Sequence, residues 1–68
     1  MGTGYYILTN LFYMEKTQTW LIEQLAEKGV RVHKSDMSRY LHGKRTGAKA
    51  DAILNESAEI IDTWKHKN

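Results

Sequence analysis

Apolar residues recur along this chain at the spacing of helical faces, in segments that are separated mainly by glycines. In the first segment the spacing is i, i+1, i+4 and i+5, which predicts a helix over about residues 4–15. The residues that share this face are Ile7, Leu8, Leu11 and Phe12, with Met14 close to it. The aromatic and β-branched residues of "YYIL" leave a strand as the alternative for this segment.

The second segment carries signals for both ends of a helix. The Thr17 hydroxyl can accept hydrogen bonds from free backbone N–H groups, and Gly29 suits the position after a last turn. Between them lies an apolar stripe, which predicts a helix over about residues 18–28. The stripe consists of Leu21, Ile22, Leu25 and Ala26. Trp20 lies off the stripe. We expect it to pack against a neighbouring helix, and a surface for a partner is the second interpretation.

The third segment predicts a short helix. "VRVHK" is interpreted as a connecting turn, and the apolar residues after it are spaced i, i+3, i+4, which predicts a helix over about residues 34–42 that ends at Gly43. These residues are Met37, Tyr40 and Leu41. His33 or Ser35 can cap this helix, and Asp36 in its first turn suits the positive end of the helix dipole.

A long C-terminal helix completes the predicted fold, over about residues 47–65. Its apolar face consists of Ala50, Ile53, Leu54, Ser57, Ala58, Ile61 and Trp64. A chain of 68 residues has room for one small core, so we predict a single domain over residues 1–68. It contains no Cys, so disulfides do not stabilise this domain. The predicted fold class is all-α: a small domain of four helices. The second and third helices have a helix-turn-helix layout, and the fourth is the long C-terminal helix.

Positive charge is concentrated in one segment. The net charge is only +2, yet residues 31–49 hold six of the ten Lys and Arg residues and one of the eight Asp and Glu residues. Such asymmetry favours a polyanionic partner.

The third helix is predicted to have a short polar outer face, because its apolar residues turn toward the core. This face consists of Ser35, Ser38, Arg39 and His42, with Lys34 at its leading end. Arginine can donate two parallel hydrogen bonds to guanine, and serine hydroxyls can bind base edges or phosphates. Lys44 and Arg45 follow where a duplex backbone would pass. The simpler interpretation is a solvated helix with a basic loop.

The stretches "TQTWLIEQLAEKG" at 17–29 and "MSRYLHGKR" at 37–45 resemble the helix-turn-helix domain of the lambdoid repressor and Cro family, also called xenobiotic-response-element-type regulators. In that family "TQ" opens the second helix, and the recognition helix ends in a phrase close to "ISRYLNGKR". The resemblance covers about residues 4–63. It implies a sequence-specific, double-stranded-DNA-binding transcription regulator with the helix at 34–42 in the major groove, and a phage or mobile element as its source.

The resemblance also implies roles for single residues. Lys34, Ser35 and Arg39 occupy the positions that reach base edges in this family. The implied phosphate contacts are Gln18, Ser38, His42, Lys44 and Arg45. The connection "AEKGVRVH" is several residues longer than the usual turn of the family, which adds Arg31 as a phosphate contact.

Other chemistry is not indicated. The three His residues have no partner Cys and no His-x3-His spacing, so we expect no metal site. "GKRTG" lacks the full phosphate-loop pattern, and no nucleophile stands with a base, so we expect neither an enzyme nor a cofactor nor a small-molecule substrate. Thr9 and Asn10 interrupt the apolar run "YYILTNLFY", so no membrane span is expected, and the bacterial cytoplasm or nucleoid is the expected location.

The wide apolar face of the fourth helix has two interpretations. It closes the core, or its far end joins exposed Tyr residues of the first helix in a homodimer that would read half-sites about 34 Å apart. Two alternatives to a transcription regulator also remain. One is an architectural or recombination-accessory DNA-binding protein; the other is a protein-interaction module, such as an antirepressor or antitoxin-like binder.

Overall fold

A computed structural model describes residues 2–67 as a bundle of four α-helices. In chain order these are α1 (Thr3–Tyr13), α2 (Gln18–Glu27), α3 (Lys34–Leu41) and α4 (Ala48–Lys67). No strand occurs in the described range, so the all-α prediction is confirmed and the strand alternative for "YYIL" is wrong. Each predicted helix end lies within two residues of the observed one.

A side-chain cap explains where α2 begins, and glycines explain where α2 and α3 end. α2 begins where the Thr17 hydroxyl oxygen accepts from the backbone N–H of Trp20 at 3.1 Å, as predicted. Gly29 and Gly43 follow α2 and α3 with φ of +85° and +72°, a conformation that glycine adopts without strain. Of the two predicted caps of α3, His33 occupies the cap position, but its side chain makes no capping hydrogen bond.

α1 also ends with a left-handed residue, but that residue is not a glycine. The N–H of Glu15 donates to the Phe12 carbonyl at 3.1 Å, and the N–H of Lys16 donates to the Leu11 carbonyl at 2.9 Å, which together form a Schellman motif. Glu15 therefore takes φ +58°, a left-handed conformation that costs a residue with a Cβ about 1–2 kcal/mol. This tight turn ends α1 two residues before the predicted position.

One hydrophobic core lies between the four helices. Its buried members are Ile7, Leu11, Leu21, Leu25, Met37, Tyr40, Leu41, Ala50, Ile53, Ile60 and Ile61. The three residues predicted to anchor the third helix are all among them. α1 approaches α3 so closely that a Cβ at Gly4 would collide with the backbone carbonyl of Leu41. The polar Ser57 is also buried, and its hydroxyl donates to the Ile53 carbonyl at 2.8 Å.

Phe12 is the exception to the predicted apolar face of the first helix. It is 78% exposed, whereas Ile7 and Leu11 are buried and Leu8 is half-buried. The buried face of α1 is centred on Gly4, Ile7 and Leu11, and Phe12 is turned about 100° away from Leu11 around the helix axis. The prediction that Phe12 belongs to the core is therefore wrong.

Trp20 packs against α4, which confirms its predicted use. Its ring meets that of Trp64 edge to face, with the ring centroids 6.2 Å apart. The ammonium of Lys16 lies 5.5 Å from the Trp20 centroid and 5.1 Å from the Trp64 centroid. Lys28 of the turn after α2 pairs with Glu56 of α4 at 3.3 Å. These contacts fix α2 on α4 and thereby set where the connection to α3 starts.

Candidate nucleic-acid interface

α3 presents a polar side to solvent while its opposite side forms part of the core. Lys34, Ser35 and Arg39, the three residues predicted to reach base edges, are all exposed on this side. His42, directly after the helix, is exposed as well, and Ser38 is half-buried at the flank. The predicted outer face of the third helix is thus the exposed one.

The loop after α3 is fixed beside the last turn of that helix. The N–H of Lys44 donates to the Arg39 carbonyl at 2.9 Å, and the N–H of Arg45 approaches the same oxygen at 3.4 Å. Both Lys44 and Arg45 have exposed side chains. Two loop cations consequently stand next to the C-terminal end of α3, as the sequence predicted.

The carboxylate of Asp36 joins Arg39 of α3 to Arg45 of the loop. Its Oδ1 atom accepts a hydrogen bond of 3.1 Å from the Nη1 atom of each arginine. The Asp36 side chain is 27% exposed, and the two arginine side chains are just over half exposed. Since a guanidinium has five N–H donors, each arginine keeps donors for a further ligand. These three residues are called the Arg–Asp–Arg cluster below.

The sequence indicated only part of the Arg–Asp–Arg cluster. From the sequence, Asp36 is expected to interact with the helix dipole, although its i, i+3 spacing to Arg39 also suits an ion pair on one helix. Arg45 lies nine residues after Asp36. Only the turn at Gly43 brings it back to α3, and no sequence signal reports that contact.

Two of the predicted phosphate contacts, Gln18 and Arg31, are not partners of the Arg–Asp–Arg cluster. Gln18 is the first residue of α2 and is half-buried, and Arg31 is exposed in the connection at 28–33. Within residues 2–67 neither side chain makes a hydrogen bond or ion pair with the cluster. The hydrogen bonds of the Arg–Asp–Arg cluster therefore join Arg45 of the loop to α3, and Gln18 and Arg31 take no part in them.

The charge on this surface is mainly positive. Residues 34–45 contain four Lys and Arg side chains and a single carboxylate, and the cations are all exposed. A surface with this balance attracts phosphate groups and releases their counterions on binding. In the described part of the chain no group of three His, Cys, Asp or Glu residues is arranged to hold a metal ion.

The comparison with known proteins gives no relative for this chain. No protein-family model, no curated protein and no solved structure matches it. The resemblance to the repressor and Cro family therefore stays a prediction. Across residues 2–67 none of the helices combines the length and the apolar character that crossing a bilayer requires.

Proposed function

We propose that this chain is a sequence-specific, double-stranded-DNA-binding transcription regulator of the repressor and Cro type, with α3 in the major groove. The observation that carries the proposal is the polar, basic outer side of α3, which is backed by buried apolar residues and followed at once by two loop cations. An α-helix fits the major groove, where each base pair presents its own set of donors and acceptors. In a helix-turn-helix the second helix takes this place, and α3 follows α2 after a six-residue connection, 28–33.

The base contacts are assigned to Lys34, Ser35 and Arg39. Ser35 and Arg39 are four residues apart, which is about 6 Å along a helix axis. Successive bases of one strand are about 3.4 Å apart, so these two side chains address base pairs about two steps apart. Arg39 has the strongest preference, because its fork of donors matches the O6 and N7 atoms of guanine.

The phosphate contacts are assigned to six further residues. Ser38, His42, Lys44 and Arg45 lie at the flank and the C-terminal end of α3, and Gln18 and Arg31 lie in earlier segments. Contacts to phosphates position a protein on the duplex, whereas contacts to base edges give sequence preference. The proposal includes a bacterial cytoplasm or nucleoid, a phage or mobile element as source, and neither an enzymatic step nor a cofactor.

Selection of bound duplexes from a random pool tests the proposal. The wild-type chain is expected to enrich one sequence motif. The double variant Lys34→Ala, Arg39→Ala is expected to enrich none, because it lacks two of the three base-reading side chains. Glu59→Gln, which changes an exposed charge on α4, serves as the control and should enrich the wild-type motif. If the wild-type chain enriches no motif, the proposal is wrong.

A further inference from the structure

α1 carries four aromatic side chains on its solvent side. Their exposed fractions are 59% for Tyr5, 38% for Tyr6, 78% for Phe12 and 77% for Tyr13. The whole helix, "TGYYILTNLFY", contains no charged residue, whereas the solvent side of a surface helix normally carries charged and polar groups. These four residues are called the aromatic face below. A patch of this kind marks an interaction surface.

Contacts within the chain order parts of the aromatic face before any partner binds. The Tyr6 hydroxyl donates to the Asp62 carboxylate of α4, and this hydrogen bond raises the pKa of Tyr6. The Lys65 ammonium lies 5.6 Å from the centroid of the same ring. Phe12 and Tyr13 meet edge to face with their centroids 5.8 Å apart. Rings that are already ordered lose little side-chain freedom when a partner covers them.

We propose that the aromatic face binds the same face of a second copy of this chain. A closed twofold pair places one surface patch against itself, so the patch must be self-complementary. If an aromatic side chain offers about 200 Å², the exposed parts of these four side chains amount to about 500 Å² per chain. Two copies then bury about 1,000 Å² together, which is the area at which specific interfaces begin.

The charges around the aromatic face favour a second copy over other occupants. Two α1 helices meet without repulsion between like charges, because neither contributes a charged group. The rim holds both signs, because Asp62 and Lys65 of α4 both contact Tyr6, so each rim can offer an opposite charge to the other. Nucleic acid or an anionic bilayer would require basic residues on this helix, and α1 has none.

Sedimentation equilibrium of the full chain without DNA tests this pairing. We expect a monomer–dimer equilibrium with a dissociation constant in the micromolar range. Phe12→Lys and Tyr13→Lys are each expected to weaken it at least about tenfold, because each places two like charges in one twofold interface. Tyr13→Phe keeps the ring, and Ala52→Lys adds the same charge at an exposed position of α4. Both controls are expected to stay within about twofold of the wild type.

Two results would overturn the pairing. One is a wild-type chain that remains a monomer up to about 1 mM, and the other is a dimer that Tyr13→Lys leaves unchanged. Circular dichroism shows whether each variant is folded. If Phe12→Lys does not fold, the dissociation constant of Tyr13→Lys tests the pairing. The inference is independent of DNA binding: Arg39→Ala, which targets DNA, is expected to leave the dimer constant unchanged. Failure of the pairing and failure of the proposed function therefore give different results.

Discussion

Asp36→Asn tests whether the Arg–Asp–Arg cluster orients its arginines or only adjusts the surface charge. The substitution removes one negative charge from the acceptor of two 3.1 Å hydrogen bonds and keeps the shape of the side chain. Because both arginines are more than half exposed, each ion pair contributes about 0.2–1 kcal/mol to the free energy of unfolding. We expect the free energy of unfolding to fall by about 1 kcal/mol, which leaves the variant folded.

Binding of the Asp36→Asn variant to DNA of arbitrary sequence is expected to tighten. Without the carboxylate about one more phosphate is neutralised, so the slope of log K against log salt concentration steepens by about 0.9. If the two chains bind equally at 1 M salt, this slope raises the affinity at 0.15 M by about fivefold. The affinity for the duplex obtained by selection rises by the same factor. It also falls, because Arg39 is no longer held in place before binding, which costs about 0.5–1.5 kcal/mol. Discrimination between duplexes should therefore fall by about 2- to 12-fold.

Fluorescence anisotropy titrations over a series of salt concentrations measure this change, with the selected duplex and a scrambled one. Glu59→Gln is the matched control, since it removes the same charge from a 68% exposed side chain on α4. It is expected to leave the ratio of the two affinities unchanged. If Asp36→Asn tightens both duplexes by the same factor, Asp36 acts only through its charge and the orienting role is refuted.

Three further substitutions test the packing and the helix ends by chemical denaturation. Gly4→Ala should lower the free energy of unfolding by about 1–3 kcal/mol, because the methyl group would meet the Leu41 carbonyl; unchanged stability would show that α1 and α3 are not so close. Glu15→Gly should raise the free energy of unfolding by about 0.5–1 kcal/mol, because the relief of strain at φ +58° exceeds the extra conformational entropy that glycine loses on folding. A lower free energy of unfolding would contradict the strained end of α1. Thr17→Ala should lower it by about 1 kcal/mol by removing the acceptor for the Trp20 N–H, and no loss would argue against the cap.

The helices could be predicted from the sequence because local signals agree at their ends. The Thr17 hydroxyl needs only the next three residues to cap α2, and Gly29 and Gly43 take their left-handed conformation within a single turn. The buried face of α3 follows from the spacing of three apolar residues, and its exposed face follows as the remainder. The exposure of Lys34, Ser35 and Arg39 could therefore be predicted from the sequence.

Contacts between distant residues could not be predicted in the same way. From apolar spacing alone, Phe12 was predicted to lie in the core. The spacing could not show that the buried face of α1 includes Gly4, which has no side chain and lies against α3, and that Phe12 is therefore exposed. The left-handed Glu15 carries no sequence signal, since a glycine is the usual sign of such an end. The bond from Arg45 to Asp36 depends on how the loop folds back, which is a property of the tertiary structure.

A comparison of Arg39→Ala with Lys44→Ala shows whether α3 reads bases while the loop after it binds phosphates. Both variants are titrated over a range of salt concentrations with the selected duplex and the scrambled one. Arg39→Ala is predicted to cost about 1–3 kcal/mol on the selected duplex and much less on the scrambled one. Lys44→Ala is predicted to weaken both duplexes alike and to reduce the salt slope by about 1. Equal losses on both duplexes for Arg39→Ala would show that Arg39 does not read bases.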